Sequence, residues 1–126
     1  MSENQEMATP KASVWKDANN IYHIDYESRV YLDKEDVELQ QNAIEHLQND
    51  DSSQFVLVNG TGARGIDVEA RQFIQEQNYL GMAIVVKSSI SRLVFNFLHE
   101  TYKPAYPVQL FRKEEDATNW LLSLKK

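Results

Sequence analysis

Two apolar runs constrain this chain more than any other feature. Residues 54–59, "QFVLVN", and residues 81–86, "GMAIVV", carry no charge and are rich in branched side chains. Runs of that length and composition predict strands buried on both faces. Helical stretches connect such strands, so the strands lie parallel, with right-handed crossovers.

The rest of the chain supplies the other parts of such a layer. "SVWKDANNIYHIDY" reads as two strands around an Asp-Ala-Asn-Asn turn. In the second of them Tyr22, Ile24 and Tyr26 alternate with His23 and Asp25, the period of a half-buried strand. "RVYL" extends the same layer as a third short strand. Asp33 caps the next helix, with Glu35 and Asp36 near its positive end. Asp67 caps a second helix through Ala70, Phe73 and Ile74. Ile90, Leu93, Val94, Phe97, Leu98 and Thr101 recur at helical spacing after a serine cap. "VQLF" is a last strand, and Ala117, Trp120, Leu121 and Leu124 share one face of a closing helix. The fold class that follows is α/β: one domain with a mixed, roughly five-stranded sheet, antiparallel strands first and parallel strands after, and about four helices. Residues 1–12 are polar, contain Pro10, and read as a flexible tail. Residues 13–126 form the domain.

Composition excludes several classes of function. A chain of 126 residues suits one domain, and with 42% apolar and 25% charged residues it is ordinary globular material. A net charge of −6 gives no support to nucleic-acid binding. The absence of cysteine removes disulfides, thiolate metal sites and Cys nucleophiles. No apolar run is long enough to span a bilayer, and the N-terminus lacks the apolar segment of a secretory signal, so a cytoplasmic protein without membrane insertion is the default. His23, His46 and His99 stand at no metal-binding spacing, no nucleophile elbow is present, and the reading carries no catalytic residue, metal or cofactor.

"NGTGARG" contains Gly60, Gly62 and Gly65 in the dinucleotide pattern G-x-G-x-x-G, between a strand and a helix. Three features weigh against nucleotide binding there. Asp67 is the better helix cap, and its carboxylate competes with a phosphate for the same amides. The next strand ends in Lys87 rather than in an acid that would hold a ribose. The chain is also short for a dinucleotide fold with a substrate domain. The glycines therefore read as a flexible connecting loop, with nucleotide binding through it the lesser alternative.

The C-terminal third resembles a group of small bacterial STAS-like, or SpoIIAA-like, domains. The resemblance rests on Ser91-Arg92, Asn96-Phe97, Pro104 and Pro107, Leu110-Phe111, Glu114-Glu115 and the run Ala117 to Leu121. Upstream, Glu69, Ala70 and Arg71 match the same group, and the match covers about residues 13–125. It implies a mixed sheet covered by helices, and a regulatory or binding module rather than an enzyme. The similarity of that fold to the lipid-binding CRAL-TRIO domain implies, as the alternative, a carrier of a lipid or other hydrophobic molecule. In related anti-sigma antagonists a serine at the start of the helix after the central strand is phosphorylated. Asp67 stands there in this chain and cannot be a kinase substrate; Thr61 or Ser88 could take that role.

Ligands of open α/β sheets bind beyond the carboxyl ends of the strands. Thr61, Arg64 and Asp67 follow one such end; Lys87, Ser88, Ser89 and Arg92 follow the next. With the two strands adjacent, these residues present hydroxyls, cations and a helix start to an anionic or hydrophobic small ligand or to a partner protein. A homodimer is compatible with the sequence, which does not locate an interface.

Overall fold

The structure is a computed structural model describing residues 6–27, 29–48, 54–60, 63–87 and 106–124. Its main sheet has six strands in the order β1-β2-β3-β5-β7-β8. They are β1 (Glu6–Thr9), β2 (Ala12–Lys16), β3 (Ile21–Tyr26), β5 (Phe55–Asn59), β7 (Gly81–Val85) and β8 (Val108–Phe111). The hairpins β1–β2 and β2–β3 are antiparallel, whereas β3–β5, β5–β7 and β7–β8 are parallel. A separate two-stranded ribbon joins β4 (Val30–Leu32) in parallel to β6 (Ala63–Ile66). The described helices are α1 (Lys34–Leu47), α2 (Val68–Gln75) and α3 (Glu114–Leu124). The further helix expected around Ile90 to Thr101 lies outside the described residues.

Four expectations change. The sheet has six strands rather than five, because Glu6–Thr9, inside the stretch read as a flexible tail, pairs with β2 along its whole length. "RVYL" does not extend the main layer; β4 pairs with β6 instead. The stretch read as a flexible glycine-rich connection contains β6 itself. Finally, β3 is not half-buried: Ile21 to Ile24 are all buried, because β3 sits inside the sheet with packing on both faces.

Two cores lie on the two faces. Val14, Tyr22, Ile24, Val56, Val58 and Met82 pack with Ala43, Ile44 and Leu47 of α1. On the other face Ile21, Phe55, Leu57, Ala83 and Val85 pack with Ala117 and Leu121 of α3. The alternation of neighbours in each central strand between these two sets explains why the runs are continuously apolar. The Asp17–Asn20 turn closes β2 onto β3, with Asn20 in the left-handed region at φ 64° that asparagine tolerates. Asp17 Oδ1 accepts from the amides of Asn19 (2.8 Å) and Ile21 (3.1 Å).

Helix starts follow the capping residues. Asp33 accepts from the Asp36 amide at 3.0 Å while Asp36 Oδ2 accepts from the Asp33 amide at 2.9 Å, a reciprocal capping box. Lys11 Nζ bridges to the same Asp36 oxygen and to the Tyr31 carbonyl, both at 2.7 Å. The first hairpin is thereby tied to the start of α1. Asp67 Oδ1 accepts from the Ala70 amide at 2.8 Å and opens α2.

Candidate functional site

All parallel strands of the main sheet end at one edge. There the Gly60 amide donates to the Val85 carbonyl at 2.8 Å and the Val86 amide to the Phe111 carbonyl at 2.9 Å, so the ends of β5, β7 and β8 are level. Asp25, Asn59 and Val85 lie in one row across β3, β5 and β7. Lys87 follows β7 and is exposed. The two strands whose loops hold the expected site residues are adjacent, which is the condition that reading set.

Of those residues, the structure describes Arg64, Asp67 and Lys87; Thr61, Ser88, Ser89 and Arg92 lie outside the described residues. Arg64 is exposed and stands in β6, on the ribbon rather than on the carboxyl edge of the main sheet that carries Lys87. It falls where the β4–β6 register shifts, between the pairs Val30–Ala63 and Tyr31–Gly65. Asp67 spends its carboxylate on the α2 cap, and its amide donates to the Leu32 carbonyl at 3.0 Å, closing the ribbon. Gly65 needs no unusual backbone. The Tyr31 ring lies on it: a β-carbon there would stand 3.0 Å from Tyr31 Cε1 and 3.1 Å from Cδ1, close enough to favour a small residue. The last glycine of the G-x-G-x-x-G pattern thus has a packing contact of its own, beneath an aromatic ring. Tyr31 on β4 is 55% exposed, and Val68, which opens α2 just after the ribbon, is 47% exposed.

Sequence reasoning missed a buried polar cluster on the other side of β3. The indole of Trp15 donates to Asp25 Oδ2 at 2.9 Å and stacks on the His23 ring at a centroid distance of 3.9 Å. His23 Nε2 lies 2.8 Å from Asp17 Oδ2. A carboxylate can only accept, so Nε2 carries the proton. Burial opposes the charge on Asp17, but hydrogen bonds from His23 and from the Ile21 and Asn19 amides outweigh it and hold the carboxyl below its ordinary range. The pair has the form of the orienting half of a general-base dyad. Yet His23 is 3% exposed, and Nδ1 is buried without a hydrogen-bond partner, so the ring works as a clamp across the hairpin rather than as a base offered to substrate. A signal for this cluster is present in the chain: His23 and Asp25 share one face of a strand whose hairpin partner brings Trp15.

A second set of polar contacts lies against α1 and α2. Tyr26 donates to Gln40 Oε1 at 3.0 Å, Tyr79 donates to Gln41 Oε1, and Tyr106 donates to the Ile74 carbonyl at 2.7 Å. Burial pushes all three phenols well above their ordinary range. Among the described residues no group of three or more His, Cys, Asp or Glu side chains could hold a metal, and no helix is long and apolar enough to cross a membrane.

An antiparallel start feeding a parallel sheet, with helices on both faces, defines an α/β domain of the SpoIIAA-like kind. It is similar to the crystal structure of an uncharacterized protein of the DUF3478 family with a SpoIIAA-like fold from Shewanella loihica PV-4. The TM-score is 0.59 at 15% identity, over 96% of this chain and 98% of that one. At that identity the likeness is one of fold. The chain belongs to the family described as domain of unknown function DUF7793, whose model matches residues 14–125. A search of curated protein sequences found no match.

Proposed function

We propose that the chain is a non-enzymatic, cytoplasmic binding module of the regulatory kind that a SpoIIAA-like fold implies. It takes a partner protein, or a small ligand, at the loops that follow its central strands. The surface comprises Arg64 and Asp67 on the ribbon side, Lys87 at the end of β7, and Thr61, Ser88, Ser89 and Arg92 in the adjoining stretches. One observation carries the reading: β6, which holds exposed Arg64, pairs with β4, which holds exposed Tyr31, and leads directly into the capped start of α2, whose first residue Val68 is exposed. Aromatic and arginine side chains are enriched at protein interfaces. Asp67 caps α2 through Oδ1 and, as an aspartate, takes no phosphate from a kinase, which favours constitutive over phosphorylation-gated binding at that position.

The test is capture of partners from the protein's own cells by the immobilised chain, compared with Arg64→Ala and Arg92→Ala chains of unchanged melting temperature. Loss of the captured band in either variant supports the surface; equal capture by both variants sinks it. A native mass spectrum of the same preparation, repeated after denaturation, distinguishes the alternatives. A lipid mass lost on denaturation supports a hydrophobic carrier, and a nucleotide mass supports the glycine stretch. A mass increment that survives denaturation indicates covalent modification.

A further inference from the structure

Two arginines at the start of the β4–β6 ribbon have no partner within the chain. Val30 pairs with Ala63; Arg29 precedes the one and Arg64 follows the other. Paired strands lie about 4.8 Å apart and successive α-carbons about 3.8 Å, so the two α-carbons stand at most about 12 Å apart. Both side chains are exposed. Among the described residues neither takes part in a side-chain hydrogen bond, an ion pair or a ring contact. In a chain of net charge −6 that is not for want of acids. Asp33 and Asp36 spend their carboxylates on the capping box of α1, Asp36 also holds Lys11, and Asp67 caps α2. Glu27 and Glu69 are exposed close by in the chain and pair with neither arginine.

Arg29 also stands where its backbone suits another residue. Its φ is 63°, in the left-handed region. Glycine enters that region freely and asparagine readily, whereas a long side chain is disfavoured there. Turn geometry therefore does not account for an arginine at this position, and no contact within the chain does. Two residues on, Tyr31 is 55% exposed, with one edge of its ring seated on Gly65. Guanidiniums take carboxylates in paired hydrogen bonds, and the ring offers a flat apolar contact. The three side chains are too exposed to enclose a small molecule, which needs a pocket that buries most of its surface. The net charge of −6 repels a nucleic acid. An extended peptide advances about 3.3 Å per residue, so carboxylates two to four residues apart along it span the two guanidiniums.

We propose that the ribbon binds an extended acidic segment of a partner protein, with carboxylates on Arg29 and Arg64 and an apolar or prolyl residue on the Tyr31 ring. The assignment rests on the reading of the ribbon as a binding surface; it names the chemistry of the partner and adds Arg29 as a contact residue.

NMR titration of the full chain with a short peptide of alternating glutamate and proline tests this, with the glutamine–proline peptide and inorganic phosphate as controls. Saturable shifts are expected at Arg29, Tyr31 and Arg64, with a Kd below ~1 mM. Arg29→Gly and Arg64→Ala should each weaken binding about fivefold to tenfold. Raising salt from about 0.05 to about 0.5 M should weaken it too. Glycine fits the left-handed backbone, so the melting temperature of Arg29→Gly should be unchanged or higher. A lower one makes the side chain structural and overturns the proposal. So does an absence of shifts at ~1 mM glutamate peptide, equal binding of the glutamine peptide, or full affinity in Arg29→Gly. Phosphate moving the same signals where the peptide does not would reassign the arginines to a small anion and overturn it as well. Capture of a cellular partner that depends on Arg64, alongside failure of the peptide, would leave the binding surface standing and remove the acidic segment alone.

Discussion

The ring of Tyr31 lies on the α-carbon of Gly65, with Cε1 3.0 Å from the place a β-carbon would occupy. The contact is steric, since Gly65 has no positive φ. Gly65→Ala should cost little, because the 55% exposed ring can swing outward. Gly65→Val should cost about 1–3 kcal/mol by overcrowding. Tyr31→Ala should recover most of that cost in the double variant, and urea unfolding of the four chains measures the coupling. Independent, additive effects would refute the contact.

Gln40 is a buried amide used on one side only: its Oε1 accepts from Tyr26, while Nε2 has no partner. Gln40→Met alone should destabilise by about 1–3 kcal/mol, because it strands the Tyr26 hydroxyl. Gln40→Met together with Tyr26→Phe removes both halves of the bond and the orphaned donor, and should be close to neutral. A double variant as unstable as the single one would contradict this account.

Asp17 holds the turn and His23 with one carboxylate, and its folded pKa lies below the ordinary 3.8. The unfolded chain therefore takes up this proton first as pH falls. The stabilisation is complete above the ordinary value and is lost as pH drops through the depressed one. Asp36, held down by Lys11 and the Asp33 amide against the cost of burial, adds to the same acid limb. In Asp17→Asn the acid limb of stability against pH should flatten, and stability at neutral pH should fall by about 1–3 kcal/mol. A parallel acid limb in the variant would disprove the assignment.

Tyr26, Tyr79 and Tyr106 act at the other end of the scale. Their folded pKa values are raised above the ordinary 10.0, so the unfolded chain loses these protons first. Stability should be complete below that value and decline above it. Ultraviolet titration should show these phenols ionising only together with unfolding, monitored by circular dichroism. Reversible ionisation of all six tyrosines in the folded chain would be inconsistent with their burial.

Much of the frame was legible because it depends on local rules. Asp33 and Asp67 cap where a short acidic side chain precedes an apolar stripe, and Phe55–Asn59 and Gly81–Val85 are buried strands because, up to the terminal Asn59, they are runs of apolar side chains. What escaped depends on distant partners. β1 and β6 are four residues each, too short to show a period, and acquire their identity from β2 and β4. His23 reads as outward-facing until Asp17 and Trp15 are seen to satisfy and cover it. Of the expected site, Asp67 was legible as a cap. The position of Arg64 on a separate ribbon was not, because it follows from a pairing between segments some thirty residues apart, about as far as the two strands of a crossover unit.

The ribbon has a consequence for where two of the helices begin. β4 runs into the cap of α1 and β6 into the cap of α2, and the Leu32 carbonyl binds the Asp67 amide. Both helices are indexed from one short pairing, not from the length of chain that precedes each of them. Residues added or lost between Gly60 and Ala63 leave α2 where it starts. Glycine spacing before Ala63 can therefore change without moving α2, whereas position 65 admits only small residues while the Tyr31 ring lies over it.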